Sequence, residues 1–296
     1  MSKKPTVGIV GLGILGAPIA KNFKKAGHNV VVTNRTDKSA WAKEEGLEWA
    51  KTPAKLAEKA DFIITLVTDH MAVREVAMGL NGFLSVNVKG KTWLQMSTVN
   101  EKSTHEFAKE AADHGMDFMD SPVTGSKKQA EEAQMIILAA GDKKVLEKCR
   151  DVYMATSKAI VEAGEIGKGT LLKLAMNMAV VQMTTAICEA FAFAKAQGIN
   201  PEKIFEVIGH SPALNCGYYQ IKKKPLIDGD FSPAFSIANM LKDVRYMDEA
   251  TKAVRLGLPV TQAVRFTLEA AMAAGIGAED VTAIVKILEP RHKAAS

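Results

Sequence analysis

The sequence has few cysteines and no grouping of the residue types that bind metals. Its three cysteines, Cys149, Cys188 and Cys216, lie far apart and form no Cys-x-x-Cys pair. An odd number at such spacings indicates neither a disulfide framework nor a zinc site. The histidines show no His-x-x-x-His spacing. We therefore predict no metal site, and we expect the cysteines to be small core residues.

Long apolar runs and signs of export are also missing. The stretch between Lys173 and Glu189 carries no charge for 15 residues, fewer than the roughly 18 that a membrane-spanning helix needs. Lys4 leads directly into a strand-like Val-Gly-Ile-Val segment, and not into the apolar core of a signal peptide. We therefore expect a cytoplasmic chain with no membrane partner.

The net charge of +5 is mild for 296 residues. Three consecutive lysines at residues 222–224 form a basic run, but no aromatic-basic pattern typical of nucleic-acid binding accompanies it. We predict that this run is solvated surface and that the protein has no nucleic-acid partner. The chain also contains no Walker loop and no Gly-x-Ser-x-Gly elbow, which disfavours phosphoryl and acyl transfer.

The first half of the chain alternates short β-branched runs with helical segments. Predicted strands cover residues 7–10, 30–33, 62–67, 92–96 and 135–140. Thr52 with Pro53 predicts one helix start, and a capping box from Thr98 to Glu101 predicts another. This alternation is typical of a parallel sheet covered by helices. We predict an α/β fold with an N-terminal doubly wound Rossmann domain at residues 1–164.

The second half reads as helices separated by glycine and proline breakers. We predict an all-α C-terminal domain at residues 165–296, which carries substrate contacts and forms an oligomer interface. Residues 167–197 are apolar nearly all round, as in a helix that is buried on several sides. Because a domain of this size cannot easily cover such a helix alone, we expect another subunit to cover part of it, in a homodimer or homotetramer.

A glycine motif follows the first predicted strand. Gly11, Gly13 and Gly16 form Gly-x-Gly-x-x-Gly between that strand and a helix. The first glycine permits a tight turn, the second lets the backbone approach a pyrophosphate, and the third lets the helix pack on the strand. We predict that these glycines, with Ile14 and Leu15, bind a dinucleotide.

The end of the second predicted strand indicates which dinucleotide is bound. An NAD site places an acidic residue there, whereas this chain has Asn34, Arg35 and Thr36. A guanidinium offers a planar pair of donors to a 2′-phosphate. We therefore predict NADP(H), with Asn34 and Thr36 as hydrogen-bond partners; the alternative is that Arg35 is an exposed loop cation.

Four further motifs follow in order. They are Ser97-Thr98 after a strand, Asp-Ser-Pro-Val-Thr-Gly-Ser at residues 120–126, Gly-x-Gly-x-x-x-Lys-x-x-x-Asn at residues 167–177, and Lys242-Asp243. With them the chain resembles the β-hydroxyacid dehydrogenases, relatives of 3-hydroxyisobutyrate and 6-phosphogluconate dehydrogenases, over essentially its whole length. Residues 125–128 and 136–142 are most similar to the glyoxylate and succinic semialdehyde reductase branch, which typically uses NADPH. The chain departs from the usual pattern at Ser121, at Thr124 and at residues 235–238.

Lys173 and Asn177 are the candidate catalytic residues. A separation of four residues places both on one face of a helix. A lysine is normally protonated at neutral pH, which suits a general acid that protonates a carbonyl oxygen while hydride reaches carbon. Spacing alone fits a surface cation equally well. The apolar helix and the resemblance favour catalysis.

The remaining site predictions follow from the resemblance and from loop chemistry. Ser121, Thr124, Gly125 and Ser126 offer hydroxyl and backbone N–H groups to a substrate carboxylate, although an ordinary Pro-Gly turn would also explain this loop. Lys242 either pairs with that carboxylate or lines the nicotinamide side, and Asp243 orients its neighbours. Strand-end residues are expected near the nicotinamide ribose: Val67, Thr68, Ser97 and Thr98.

These observations predict an NADPH-dependent oxidoreductase. It would reduce a small anionic aldehyde acid, of the glyoxylate or succinic semialdehyde class, to the hydroxy acid, with Lys173 as general acid. The alternatives are a β-hydroxyacid dehydrogenase of the 3-hydroxyisobutyrate or tartronate semialdehyde class, and a non-catalytic nucleotide-binding module. Imine reduction on the same scaffold is disfavoured by Lys173.

Overall fold

The computed structural model describes residues 4–289. They form two compact units, whose boundary along the chain falls between Leu174 and Ala175. That boundary lies inside a continuous helix, Lys168–Ala196. The predicted domain boundary at residue 164 precedes this helix, and it stays a prediction.

The first unit contains nine strands and seven complete α-helices within the described residues. The strands are β1 Thr6–Val10, β2 Asn29–Thr33, β3 Glu48–Trp49, β4 Phe62–Thr65, β5 Thr92–Gln95, β6 Asp117–Asp120, β7 Val123–Thr124, β8 Met135–Ala140 and β9 Ser157–Gly164. The helices are α1 Gly16–Lys25, α2 Ser39–Glu44, α3 Pro53–Ala57, α4 His70–Met78, α5 Glu101–Asp113, α6 Lys127–Glu131 and α7 Lys143–Met154, with a short 3₁₀ helix at Phe83–Ser85.

All nine strands form one sheet. Its order is β3-β2-β1-β4-β5-β6-β8-β7, and β9 pairs with β8. The strands from β3 to β6 are parallel, whereas β8 runs antiparallel to β6 and β7. The strand order reverses between β1 and β4, and ligands of open α/β sheets bind at the carboxyl edge beside such a reversal. The predicted Rossmann domain is confirmed.

The sheet is buried on both faces, as a parallel sheet covered by helices must be. Successive side chains of β4 alternate between two apolar clusters, with Phe62 and Ile64 in one and Ile63 in the other. On the second face, Trp93 packs edge to face on Phe83, with ring centroids 4.8 Å apart. These clusters fix the strand ends that carry the site residues.

Several local predictions need correction. All five predicted strands are present, but β4 ends at Thr65 and β5 at Gln95, earlier than expected. Strands β3, β6, β7 and β9 were not predicted. The capping box at residues 98–101 is wrong, because α5 begins at Glu101 and the side chain of Asn100 accepts the Ser103 N–H at 2.9 Å. The Thr52 cap is confirmed, since its hydroxyl accepts the Lys55 N–H.

The second unit is helical. It contains most of α8 Lys168–Ala196, then α9 Glu202–His210, α10 Gly217–Asp228, α11 Ile237–Val254, α12 Pro259–Ala273, a 3₁₀ helix at Val281–Ile284 and α13 Val285–Leu288. Up to residue 289 it holds no strand, and one isolated bridge joins Ser236 to Asp280. The predicted all-α C-terminal part is confirmed.

Helix α8 is long and apolar. By length and composition alone it is able to cross a membrane, contrary to the expectation from its charge-free run, and 39% of its most apolar window is buried inside the structure. The core helix of a soluble protein passes the same test of length and composition. This test therefore does not distinguish a buried core helix from a membrane-spanning helix.

The basic run in α10 is not uniformly solvated. Lys223 and Lys224 are exposed, but Lys222 is buried and its Nζ lies 3.0 Å from Asp280 Oδ1. The prediction of a solvated run is therefore wrong for Lys222. Two of the three cysteines, Cys149 and Cys188, are buried as expected, and Cys216 is partly exposed.

Candidate active site

The glycine loop between β1 and α1 has one open position and two closed ones. Gly11 has φ +109°, and a Cβ there would lie 2.2 Å from the Leu66 carbonyl oxygen. A Cβ on Gly16 would lie 2.0 Å from the Gly11 carbonyl oxygen. Among the described residues, a Cβ on Gly13 would meet nothing within 4 Å. Gly11 and Gly16 therefore serve the fold, whereas Gly13 leaves exposed backbone beside open space.

The first turn of α1 offers a site for an anion. No side chain caps this turn, and it contains no acidic residue. Leu15 occupies the N-cap position, and Ile14 is exposed just before it. Uncapped N–H groups at a helix start bind phosphate well. The open backbone at Gly13 and this uncapped turn fit the pyrophosphate of a dinucleotide.

Asn34 braces the glycine loop from the end of β2. Its Oδ1 accepts the Leu12 N–H at 3.0 Å, and its Nδ2 donates to the Thr36 carbonyl at 3.0 Å. Arg35 and Thr36 are exposed. Asn34 thus holds the loop in place, whereas the side chains of Arg35 and Thr36 are exposed to solvent.

Two further residues of this loop were not singled out from the sequence. Lys38 Nζ donates to the Leu12 carbonyl at 2.7 Å, which adds a cation beside the glycine loop. Asp37 accepts the Ser39 N–H at 2.7 Å, and hydrogen bonds from Ser39 lower the pKa of Asp37. A lysine three residues after Arg35 was the signal available in the sequence. The loop thus contains two cations, Arg35 and Lys38, and one carboxylate, Asp37, which is hydrogen-bonded to Ser39.

Ser97 joins the ends of β4 and β5. Its hydroxyl donates to the Thr65 carbonyl at 3.1 Å and accepts the Val67 N–H at 2.9 Å. The side chain of Gln95 bonds both the N–H and the carbonyl of Ser97. Ser97 is buried, so its hydroxyl fixes Val67 within the sheet edge. Thr68 is exposed, and Val67 and Thr98 are partly exposed.

The predicted substrate loop has a buried half and an accessible half. The Ser121 hydroxyl is buried against the Tyr153 hydroxyl and hydrogen-bonds to it. Thr124 lies in β7 and is partly exposed, Gly125 is exposed with φ +134°, and Ser126 caps α6. The hydroxyl of Ser121 is therefore engaged inside the unit, and Thr124 to Ser126 remain accessible.

The buried carboxylate of Asp120 holds the start of α8. Its Oδ2 accepts the N–H groups of Gly167 at 3.1 Å and Thr170 at 2.9 Å, and its Oδ1 accepts the Thr170 hydroxyl at 2.8 Å. A Cβ on Gly169 would lie 2.6 Å from the Leu138 carbonyl oxygen and 3.0 Å from Asp120 Oδ2. The glycines of the helix motif therefore permit a close approach of α8 to the sheet.

Burial raises the pKa of Asp120 to about 6, against the opposing effect of its hydrogen bonds from Thr170 and Gly167. The sequence had placed Asp120 in a motif without assigning it a role. Its signal was an acidic residue at the end of an apolar strand, directly before the loop.

Lys173 and Asn177 lie four residues apart on α8. Lys173 is partly buried in the first unit. In the second unit, buried Asn177 donates from Nδ2 to Asp243 Oδ2 at 2.6 Å, so Asp243 orients its amide. Lys242 Nζ lies 2.7 Å from Asp243 Oδ1 and 4.8 Å from the centre of the Tyr246 ring.

Within residues 4–289, no group of three or more histidine, cysteine, aspartate or glutamate side chains is arranged to hold a metal ion.

Comparison with known proteins assigns both halves of the chain to one family. Residues 6–164 match the NAD binding domain of 6-phosphogluconate dehydrogenase, and residues 167–288 match the NAD-binding domain of NADP-dependent 3-hydroxyisobutyrate dehydrogenase. The chain is 31% identical to glyoxylate/succinic semialdehyde reductase 2 of Arabidopsis thaliana over 286 residues, 96% of this chain and 79% of the relative. It is 31% identical to 2-hydroxy-3-oxopropionate reductase of Escherichia coli, covering 98% and 99% of the two chains.

A solved structure agrees with this assignment. The crystal structure of 3-hydroxyisobutyrate dehydrogenase from Salmonella typhimurium superimposes with a TM-score of 0.88 at 25% identity, over 96% of this chain and 100% of the other. The resemblance predicted from the motifs is confirmed. The protein belongs to the β-hydroxyacid dehydrogenase family of NAD(P)-binding oxidoreductases.

Proposed function

We propose that this protein reduces a small aldehyde acid of the glyoxylate or succinic semialdehyde class to its hydroxy acid, with NADPH as cofactor. The observation that carries the proposal is the Lys173–Asn177 pair on α8, where Asp243 holds Asn177 at 2.6 Å. A proton donor and an oriented amide one turn apart suit a carbonyl that becomes an alkoxide. The similarity to the Arabidopsis reductase supports the substrate class.

The loop after β2 supports NADPH over NADH. Arg35 and Thr36 are exposed, Lys38 lies in the same loop, and the Asp37 carboxylate is engaged by Ser39. Such a loop favours a 2′-phosphate, because a guanidinium and an ammonium attract the extra charge. When bound, the cofactor supplies the hydride that reaches the aldehyde carbon.

Side chains of the protein supply the proton transfer and the substrate binding. Lys173 donates its ammonium proton to the aldehyde oxygen, and its charge stabilises the developing alkoxide. In the reverse direction Lys173 must first release that proton and then accept one from the alcohol. The accessible groups of Thr124, Gly125 and Ser126 bind the substrate carboxylate. Ser121 supports this loop through Tyr153.

A second candidate substrate is 2-hydroxy-3-oxopropionate, which is tartronate semialdehyde. The Escherichia coli relative favours it, because this chain covers 99% of that reductase at 31% identity. Both candidates are aldehyde acids, so the same proton donor and carboxylate loop serve either one. Chain length and the extra hydroxyl are the chemical differences that the loop must distinguish.

A substrate panel tests the proposal. Initial rates are measured with glyoxylate, succinic semialdehyde and 2-hydroxy-3-oxopropionate as oxidants, each with NADPH and with NADH, and with 3-hydroxyisobutyrate in the reverse direction. We expect the highest kcat/KM for glyoxylate or succinic semialdehyde with NADPH. Turnover confined to 3-hydroxyisobutyrate would overturn the substrate class. NADPH binding without turnover of any compound would identify a non-catalytic nucleotide-binding module.

A further inference from the structure

Three hydroxyl and carboxyl groups form a buried chain beneath the first turn of α8. Asp120 Oδ1 lies 2.8 Å from the Thr170 hydroxyl, which lies 2.9 Å from the Thr104 hydroxyl. The Thr104 hydroxyl in turn lies 3.2 Å from the Asn100 carbonyl oxygen. Asp120, Thr104 and Thr170 are at most 1% exposed. The chain runs from β6 through α8 to the start of α5.

This hydrogen-bond chain satisfies Asp120 in both of its protonation states. When Asp120 is ionised, Thr104 donates to Thr170 and Thr170 donates to Asp120. When Asp120 is protonated, the bonds of Thr170 to Asp120 and to Thr104 reverse: Asp120 donates to Thr170 and Thr170 to Thr104, and the Thr104 hydroxyl donates to the Asn100 carbonyl oxygen. In both states Oδ2 accepts the N–H groups of Gly167 and Thr170. Reversal leaves no buried donor or acceptor unpaired, so neither state carries that penalty.

The anchored turn leads directly to the proposed proton donor. Thr170 and Lys173 are three residues apart on α8, so their side chains are neighbours on the helix surface. An ionised carboxylate at the start of a helix makes charge-assisted bonds to the first N–H groups and complements the helix dipole. A neutral carboxyl loses both effects while keeping its partners.

We propose that Asp120 is a positioning residue for Lys173, and that proton exchange along Asp120, Thr170 and Thr104 switches the anchor of α8 between a tight charged state and a looser neutral state. The inference rests on the proposed role of Lys173 in the reductase. In the charged state α8 holds Lys173 at the reacting oxygen. In the neutral state the first turn is held less firmly, and kcat falls because small displacements of a catalytic group are costly.

Other titratable groups lie near this anchor. From α5, Glu101 and His105 pack against Gly167, and the charge of His105 lowers the pKa of Asp120. From α7, Tyr153 bonds the neighbouring Ser121, and its pKa is raised mainly by burial, with smaller effects of Cys149 and Asp120. Helix α8 itself carries Lys168 and Lys173 in its first two turns. Because histidine is the side-chain type that commonly changes charge near neutral pH, the His105 position needs its own control.

The test compares kcat against pH for the wild type, Asp120→Asn, Thr170→Val and Thr170→Ser with the best aldehyde acid of the panel. We expect the wild-type kcat to fall on the acid side with an apparent pKa near 6. Asp120→Asn should lower kcat by about 10- to 100-fold at neutral pH with little change in the aldehyde KM, and should lack the acid limb. Thr170→Ser should keep the acid-side fall in kcat at the wild-type pH. Thr170→Val should move that fall to a different pH.

Two controls separate the anchor from its surroundings. Thr156→Val removes a hydroxyl that is equally buried and has no hydrogen-bond partner among the described residues, so it should keep the wild-type profile. His105→Gln should also keep the acid limb. If Asp120→Asn keeps both the shape of the profile and a kcat within about twofold of wild type, well inside the loss expected for a misplaced group, the proposal is wrong.

A measurement without substrate keeps this result separate from the proposed function. In protein with ¹³C-labelled lysine, the Lys173 ε-carbon resonance is assigned by its loss in Lys173→Met and is followed from about pH 5 to pH 8, which brackets the Asp120 titration. We expect it to shift near pH 6 in the wild type and in His105→Gln, but not in Asp120→Asn. If the resonance shifts in this way but no aldehyde is turned over, the proposed reductase function is wrong and the proposed effect of Asp120 on Lys173 is supported. A resonance that does not move would refute the anchor.

Discussion

Lys222 and Asp280 form a buried ion pair in the second unit, with Nζ 3.0 Å from Oδ1 and 9% and 4% of the two side chains exposed. Asp280 also accepts the N–H groups of Ala234 and Phe235 and both donors of Thr282. Burial pushes the pKa of Asp280 up, but the Lys222 charge and the Thr282 hydrogen bonds outweigh it and hold that pKa below its ordinary value. One carboxylate thus joins α10 to the segment before α11 and to the 3₁₀ helix that follows α12.

Lys222→Met should destabilise the protein strongly. It removes one partner and leaves the Asp280 charge buried, which typically costs about 3 to 5 kcal/mol. Urea unfolding would measure the change. Lys223→Met is the matched control, because Lys223 is an exposed neighbour on the same helix and should change stability by less than about 0.5 kcal/mol. Equal small effects of both variants would show that the pair contributes nothing.

Lys173→Met should abolish turnover while leaving the fold and NADPH binding intact. The substitution nearly preserves side-chain length and removes the charge. General acid catalysis and alkoxide stabilisation together predict a fall in kcat of at least about 10³-fold. Because the lost interaction belongs to the transition state, the aldehyde KM should change little. Retention of more than about a tenth of the wild-type kcat would exclude Lys173 as the proton donor, since that exceeds what loss of a general acid allows.

Arg35→Ala should weaken NADPH more than NADH. A lost charge-assisted contact to the 2′-phosphate is worth roughly 1.5 to 3 kcal/mol and is absent with NADH. The KM values for both cofactors provide the measurement. Asn34→Ala is the contrasting variant: Asn34 holds the Leu12 N–H, so its loss should affect both cofactors alike. An equal effect of Arg35→Ala on both cofactors would contradict the predicted 2′-phosphate contact.

The protein should be a dimer or a larger oligomer. Helix α8 leaves Phe193 67% exposed, and Phe266 on α12 is 63% exposed. A partner subunit that covered these rings would remove them from water, which favours association. Light scattering at micromolar concentration should give a multiple of 31.9 kDa. A stable particle of monomer mass would disprove the prediction.

Asp120 should make the folded state more stable in acid than at neutral pH. Its folded pKa of about 6 lies above its ordinary value of 3.8, so the native state binds the proton more tightly. The resulting stabilisation is fully present below about pH 4, is lost as pH rises through 6, and amounts to roughly 3 kcal/mol. Urea unfolding at several pH values should show this slope in the wild type and not in Asp120→Asn. Parallel curves for the two proteins would be the contrary result.

The sequence predicted the sheet where strands are apolar and continuous. It missed β9 because Lys158 and Glu162 interrupt an exposed strand, and it missed β3 because two residues carry too little pattern. Pairs of polar side chains that are distant in the sequence could not be predicted either. Lys222 and Asp280 are 58 residues apart, and Ser121 and Tyr153 are 32 apart, so no local spacing links them.

The candidate site followed the same division. Gly11, Gly13 and Gly16 were predictable because their motif is local and each glycine has a steric reason. The role of Asp120 was not, since its partners Gly167 and Thr170, just before and within α8, lie 47 and 50 residues later in the chain. A carboxylate beside an apolar strand gives no hint of the helix that its oxygens will meet.

The glycine loop also bears on how this chain tolerates change over generations. At Gly11 and Gly16 an added methyl group collides with backbone, so the fold itself rejects a replacement. At Gly13 it would meet nothing within 4 Å among the described residues, so under the proposed function a bound pyrophosphate is what opposes alanine there. A descendant that stopped using a dinucleotide would keep Gly11 and Gly16 under selection and let residue 13 drift. The state of that single position would then record whether a descendant still depends on its cofactor.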